Sequence, residues 1–514
     1  MNKMKLKKYL QDNVVFSVFA VCMTIYYGYL MFAMNPWYDE LYTYYSFISR
    51  GPIYAAIHWP VPNNHVFYSV LSAFLDFFGN AYVGLRGISF LASVCNLLLL
   101  YGLAKKILDK NLAAGCVMLY AAAFQVNNLS VQGRGYTLTI FFYLISLHCL
   151  YEICAGGEKK RDYVIYALAL TGGLYAIVSS TFWVLPVCVA GGLYLLYQKK
   201  YKTLLRLVTA SLIAACMTFF LYTIIWLAIG SNLLCKNPDS IYYGIYQVNI
   251  ILKAPLTAMK TGMEYMLATP YIQGDSRSYI IKELYSYLSG VFSLHYLSMG
   301  EALTLFLFSG TVLAMIYFAV SGRKNKGSAF FSIYLIVSGI MLPLMLIIQS
   351  VQPYYRVFAF FSVPLSLLMV CILQVLIHHN QDQELKKYFY RGCMVLMLIF
   401  CIFTLKKEDY QAQYAGRESE IAKLFQGEEV TSICYMDDFQ KYVLKFYYDA
   451  EPAEAYVGEA QYVLMPKAVM QKDYEIPAWP DLYGYDNVEW EKLRENYTEI
   501  KESDNYFLYL KKLE

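Results

Sequence analysis

Charge is scarce in this chain. Of its 514 residues only 16% are Asp, Glu, Lys or Arg, and 58% are hydrophobic. A soluble globular domain carries about 25% charged residues, so a wholly soluble protein is excluded. Phosphate loops are missing as well. No GxxxxGK(S/T) run is present and no GxGxxG opens a helix after a strand, which leaves nucleotide chemistry without support. The 12 cysteines form no CxxC pair and no Cys/His metal spacing. Ten of them lie in apolar runs, where a thiol behaves as a small buried hydrophobe. Cys235 and Cys434 lie outside those runs and far apart. A disulfide between them is the minor alternative to two free thiols. Short repeats and low-complexity tracts are absent too.

What is present is a series of long apolar runs. Eleven read as membrane spans: residues 14–34, 88–103, 112–129, 136–153, 163–178, 182–197, 204–229, 302–320, 329–348, 357–377 and 388–405. Lipid cannot satisfy backbone polar groups, so such spans are helices or closed barrels. The runs are continuous rather than alternating, which selects helices. Lys3, Lys5, Lys7 and Lys8 before the first run give it the look of a signal peptide. Its length and the lack of a small-residue cleavage site make it an anchor that stays.

Lys and Arg fix the orientation. With the N-terminus cytoplasmic, the inner segments hold 20 bases and the short outer loops hold four, Arg50, Arg86, Arg134 and Arg356. Basic residues here mark the cytoplasmic side of a cell-membrane protein, not a nucleic-acid surface. The apolar stretch 66–78 would invert every later cluster if counted as a span, and Asp76 interrupts it. It reads as an amphipathic helix on the outer surface. Residues 1–405 thus form a membrane domain with large outer loops at 35–86 and 231–300. From 406 onward the chain holds 23 acids and 13 bases, against 15 and 29 before it. Residues 411–514 read as a small extracytoplasmic α/β domain, with strands at 431–436, 460–465 and 506–510 and a helix at 439–448.

Polar residues gather at the outer interface. The first outer loop opens Asn35-Pro36-Trp37-Tyr38-Asp39-Glu40. A carboxylate near hydrocarbon is costly. Asp39 and Glu40 read either as acids serving a helix dipole or as a base beside an acceptor. Pro62-Asn63-Asn64-His65 precedes the surface helix, and there a helix start can cap with Asn or hold a phosphate. Arg86, the run Gln132-Gly133-Arg134-Gly135-Tyr136 and the run Gln352-Pro353-Tyr354-Tyr355-Arg356 sit at the outer ends of three spans. Each Arg taken alone reads as a snorkelling side chain; together they suit a phosphate diester at the interface. Most of the 52 Tyr and 6 Trp read as interface belts. Asp437-Asp438 reads as a solvated surface pair.

These residues resemble the GT-C glycosyltransferases, in particular bacterial relatives of protein O-mannosyltransferases and of lipid A aminoarabinose transferase. The carrying elements are Asp39-Glu40, Pro62-Asn63-Asn64-His65, Leu85-Arg86, Gln132-Gly133-Arg134-Gly135-Tyr136, and Tyr354-Tyr355-Arg356 with Pro364. The likeness is clear over about residues 15–205 and returns around 345–370. It implies an all-α polytopic fold, a polyprenyl-phosphate-linked sugar donor in the membrane lipid, and an extracytoplasmic acceptor of unspecified kind. It also implies an inverting single displacement. Asp39 takes the role of base, with Glu40 as its neighbour. His65, Arg86, Arg134, Tyr136, Tyr355 and Arg356 make the donor and phosphate contacts. Many members carry His-Pro-Pro or Lys-Pro where this chain has Asn64-His65-Val66. The acidic pair of the metal-dependent oligosaccharyltransferases is not evident. The resemblance therefore implies no required cofactor and leaves a divalent ion open. A transporter or lipid flippase is the alternative, but duplicated halves and mid-membrane acids, its usual signs, are missing. A third reading, an anchor for a functional tail, has more spans than it needs.

The charge bias makes a direct prediction. Protease added to intact cells, after wall removal, is expected to clip the tail beyond Gln411. Protection equal to that of a cytosolic marker would reverse the topology.

Overall fold

The computed structural model describes residues 13–57, 64–231, 255–256, 260, 277–293, 299–321, 326–350, 352–379, 383–407, 420–428, 432–435, 438–448, 453–454, 457–467, 470 and 489–512. Cys235, Asp437 and most of the loop 231–300 lie outside the described residues. Two compact units emerge. One comprises residues 1–31 and 51–408, the other residues 32–50 and 409–514.

The first unit is helical throughout. Its long elements are α1 (Val14–Ala33), whose last two residues belong to the second unit, α5 (Ala81–Ala104), α8 (Tyr136–Cys154), α10 (Thr181–Tyr197), α11 (Tyr201–Ser231), α14 (Lys326–Gln349), α15 (Ser362–His379) and α16 (Gln383–Lys407). Eight helices among the described residues are long and apolar enough to cross a membrane, which makes this a multi-pass membrane protein. Shorter helices complete the unit: α3 (Pro52–Ile57), α4 (Val66–Asp76), α6 (Lys110–Ala122), α7 (Phe124–Leu129), α9 (Lys160–Ala176), α12 (Arg277–Ser293) and α13 (Gly300–Ser321).

Two of the eleven expected spans differ from the observed helices for physical reasons. The run 112–129 is not one helix. It breaks at Ala123, which takes an extended backbone, and Asn127 Nδ2 donates to the carbonyls of Ala121 and Ala123 at 2.5 and 3.1 Å. An amide that reaches back in this way competes with the helical ladder. The run 163–178 ends two residues early, at Ala176, where Ile177 turns extended. The run 302–320 lies within α13, which is continuous over 22 residues. The stretch 66–78 is the helix Val66–Asp76, as its length and Asp76 suggest.

The second unit holds the tail together with α2 (Tyr38–Ser46). Its sheet has the order β2-β1-β3-β5-β4, with β1 (Ser432–Cys434), β2 (Ala453–Glu454), β3 (Tyr462–Pro466), β4 (Tyr497–Glu502) and β5 (Tyr506–Lys511). The first three strands are parallel, and β5 and β4 add antiparallel. Helix α17 (Asp438–Tyr448) follows β1, and α18 (Trp490–Asn496) precedes β4. The inner strand β3 is buried along its whole length, as a strand flanked by two others should be. Cys434 is a free thiol whose pKa burial pushes up to about 11.

Leu41, from the first outer loop, lies fully buried in the tail's core with Ile421, Val443, Leu464 and Leu508. The loop 35–86 was expected to belong whole to the membrane domain. The structure divides it: residues 32–50 cluster with the tail and residues 51–86 with the helical unit.

Candidate functional site

His65 is the N-cap of α4 and is buried. Asn64, before it, ties the segment to α3 by donating from Nδ2 to Ala55 O at 3.0 Å and accepting from Ser69 Oγ at 2.7 Å. The loop 130–135 comes to His65 from the other side. Polar residues on α5 hold that loop. Ser89 Oγ donates to Gln132 O at 2.5 Å and Ser93 Oγ to Ser130 O at 2.7 Å. Asn96 Nδ2 reaches Thr137 O at 3.2 Å, and Tyr68 OH donates to Leu85 O at 2.5 Å. Residues 89, 93 and 96 share one face of α5, a polar stripe inside an apolar run. That spacing was the sequence signal for a loop anchor, and it went unused.

Two glycines permit the close approach. A Cβ at Gly133 would lie 2.3 Å from Leu85 Cδ1, and one at Gly135 would lie 3.0 Å from Ala176 O and 3.1 Å from His65 Nδ1. Gly135 N–H therefore reaches His65 Nδ1 at 2.7 Å. Nδ1 is thereby the acceptor, and in the neutral ring Nε2 carries the proton. Arg134 Nη2 lies 3.3 Å from Nε2. Burial, and then the positive charges of Arg134 and Arg356, hold the imidazole well below its ordinary pKa. The Tyr136 ring stands edge-on to His65 at 5.1 Å and links it to Arg356, whose Nε donates to Tyr136 OH at 3.0 Å. The Arg356 guanidinium also lies over the Tyr354 ring at 4.9 Å.

His65, Arg134, Tyr136 and Arg356 thus form one cluster in the helical unit. Two expected members sit elsewhere. Tyr355 lies against Tyr287, with centroids 5.4 Å apart and planes tilted by 58°, in a space that a Cβ at Gly290 would fill. Its neighbour Tyr354 makes the contact with Arg356. Alternate residues of a short helical turn point to different sides, and the sequence alone does not choose between them. Arg86 is fully buried and donates to Met31 O at 3.1 Å, tying α5 to α1. Asp39 and Glu40 belong to the second unit. Glu40 is buried and accepts from Trp37 N at 2.9 Å, which satisfies the first amide of the helix start. Asp39 is partly exposed, and its carbonyl accepts from Thr43 Oγ1 at 2.6 Å. Among the described residues no three His, Cys, Asp or Glu converge as metal ligands.

The helical bundle with its small C-terminal sheet has the fold of a solved membrane protein. ArnT from Cupriavidus metallidurans, solved bound to undecaprenyl phosphate, aligns over 96% of this chain and 97% of its own, with a TM-score of 0.56 and 11% identity. At that identity the likeness establishes the fold. An Archaeoglobus fulgidus oligosaccharyltransferase in the apo form aligns over 90% of this chain and 70% of its own, at TM-score 0.49 and 13% identity. Residues 65–226 match the family model described as dolichyl-phosphate-mannose-protein mannosyltransferase. That match takes in His65, Arg86, Arg134 and Tyr136 and leaves Asp39, Glu40 and Arg356 outside it. No curated protein matches in sequence.

Two outcomes follow from this packing. The folded protein keeps His65 neutral, while the unfolded chain takes up a proton below its ordinary pKa of about 6.5. Stability is therefore complete above that pH and falls as the pH drops below it. His65→Gln, which keeps an acceptor for Gly135, is expected to flatten the acid side of the stability curve. Thermal midpoints in detergent between about pH 7.5 and 5 measure this, across the range where histidine titrates. An unchanged slope would place the titration elsewhere. Arg86→Gln, in turn, removes a buried charge-assisted bond worth about 1.5–3 kcal/mol. The thermal midpoint is expected to drop, with the affinity for undecaprenyl phosphate unchanged.

Proposed function

We propose that this protein is a glycosyltransferase that moves a sugar from a polyprenyl-phosphate carrier to an extracytoplasmic acceptor with inversion. The observation that carries the reading is the chemistry of the His65 cluster. His65 Nε2–H and Arg134 Nη2 are both donors, 3.3 Å apart. Neither can accept from the other, and an arginine brings donors only. Arg356 adds a second guanidinium, linked through Tyr136. An anion with several acceptor oxygens satisfies such a set, and a phosphate diester is the anion a membrane supplies. The fold shared with a structure holding undecaprenyl phosphate supports the same ligand.

In this reading the acceptor hydroxyl or amine attacks C1 of the sugar as Asp39 takes its proton. The bond from C1 to the phosphate oxygen breaks, and its electron pair leaves with the lipid phosphate. Arg134, Arg356 and His65 stabilise the charge that develops there. A neutral His65 suits that task, since its Nε2–H donates without a third buried positive charge beside the two arginines. Asp39 supplies base catalysis worth about 10²–10⁴-fold. Glu40 fixes the helix start and leaves the proton transfer to its neighbour.

Titration of undecaprenyl phosphate against the purified protein tests the phosphate site. Arg134→Gln or Arg356→Gln is expected to weaken binding by about 10–150-fold, the equivalent of 1.5–3 kcal/mol. Lys at either position is expected to restore only part, because an ammonium lacks the planar fork. Unchanged affinity in both Gln variants removes the site. Asp39→Asn keeps the volume but cannot take a proton. It is expected to bind the lipid normally and to retain less than about a tenth of the transfer rate.

A further inference from the structure

Helix α2, which carries Asp39, has only nine residues. An isolated helix shorter than about 12–15 residues is marginal in water, so packing must hold this one. The second unit supplies several supports. Leu41, two residues after Asp39, is fully buried among Ile421, Val443 and Leu508. Tyr38, one residue before Asp39, packs against the same core. Further along, Tyr442 of α17 meets three successive positions on one face of α2. Its ring stacks on Tyr45 with centroids 5.5 Å apart and planes 11° from parallel. It stands edge-on to Tyr42 at 6.1 Å, and its hydroxyl lies 3.5 Å from Ser46 Oγ. Lys445 Nζ covers Tyr45 at 5.1 Å, and Tyr447 OH donates to Asn35 Oδ1 at 2.9 Å.

We infer that Tyr442 is a positioning residue for Asp39: the C-terminal domain acts in the reaction by fixing the helix that carries the base. The inference rests on the reading of Asp39 as that base. Residues 38 and 41 are pinned on either side of Asp39, while Asp39 itself stays partly exposed. The backbone at Asp39 is therefore set by the tail, about 400 residues away in sequence. A base misplaced by even about 1 Å loses about 10²-fold in rate. Loosening α2 should thus cost turnover and spare the lipid-phosphate site, whose residues belong to the other unit.

The test uses the full chain with Tyr442→Ala, Tyr442→Phe and Asp39→Asn. Three quantities are read: amide hydrogen exchange across residues 38–46, affinity for undecaprenyl phosphate, and sugar release from undecaprenyl-phosphate mannose as the donor probe. For Tyr442→Ala, exchange in 38–46 is expected to rise about tenfold, as loss of an aromatic pair worth about 0.5–1.5 kcal/mol beyond its area allows. Turnover is expected to fall about tenfold or more, with lipid affinity unchanged. Tyr442→Phe keeps the ring stack and is expected to restore both exchange and turnover. Unchanged exchange in 38–46 overturns the inference. So does equal acceleration in β3 and β5, which would make Tyr442 a general core residue. If Tyr442→Ala keeps full turnover while Asp39→Asn is inactive, positioning by Tyr442 is refuted and the base stands. If Asp39→Asn keeps full turnover, the base reading itself fails.

Discussion

The hydrogen bond from Gly135 N–H to His65 Nδ1, at 2.7 Å, decides the chemistry of the candidate donor site. It commits one ring nitrogen as an acceptor and so turns the other into a donor. Arg134 stands against that donor, and Arg356 reaches the same cluster through the Tyr136 hydroxyl. If the backbone did not occupy Nδ1, the ring could accept from Arg134 and the cluster would be self-satisfied. Because it does, His65 Nε2–H and Arg134 Nη2 face each other as two donors. The bond exists because position 135 is glycine. A Cβ there would crowd both the imidazole and the Ala176 carbonyl.

The cost of that arrangement is met by the loop's anchors. A buried guanidinium and imidazole share one corner with the half-buried Arg356, and like charges held partly out of water repel. Part of the relief comes from keeping His65 neutral, through burial and the same two charges. The rest comes from rigidity. The carbonyls of Ser130, Gln132 and Thr137 are pinned from α5 by Ser93, Ser89 and Asn96, while Leu85 fills the space that Gly133 leaves. A loop held at so many points cannot swing its arginine out to water. Preorganised charge of this kind is what a leaving phosphate needs, since no reorganisation is then required as its charge develops.

Much of the helical unit was legible because lipid imposes a coarse and unforgiving pattern. Long apolar runs gave the helices, and the shortness of 66–78 with Asp76 in it matches the short helix Val66–Asp76. The out-of-place arginines pointed at Arg134 and Arg356 for the same reason: a charge at an apolar boundary is costly, so its presence carries information. The misses have causes as particular. The break at Ala123 depends on one amide folding back onto two carbonyls. Tyr355 and Tyr354 are adjacent and alike, and only their neighbours across the bundle distinguish them. Strand β4 escaped because it is an edge strand with exposed charges at Glu499 and Glu502, and edges protect themselves by lacking the apolar alternation that announces a strand.

The home of the Asp39 helix was hidden for a different reason. Nothing local in Tyr38–Ser46 states that Leu41 completes a core made by residues beyond 420. The local signals are those of any short interfacial helix, a Glu at the third position accepting from the N-cap amide and a run of tyrosines. Those signals are true, and they set the helix start. They are too weak to hold nine residues in shape, so the missing stabilisation had to come from elsewhere in the chain. The shortness of α2 was therefore itself evidence of a distant partner. The same logic explains why Asp39 and Glu40, adjacent and chemically alike, cannot share one duty. Glu40 is turned inward to the Trp37 amide, where its charge serves the helix start. Asp39, one residue earlier, is rotated about 100° around the helix and left partly open. The buried carboxylate serves the helix start, and the partly exposed one does not share that task.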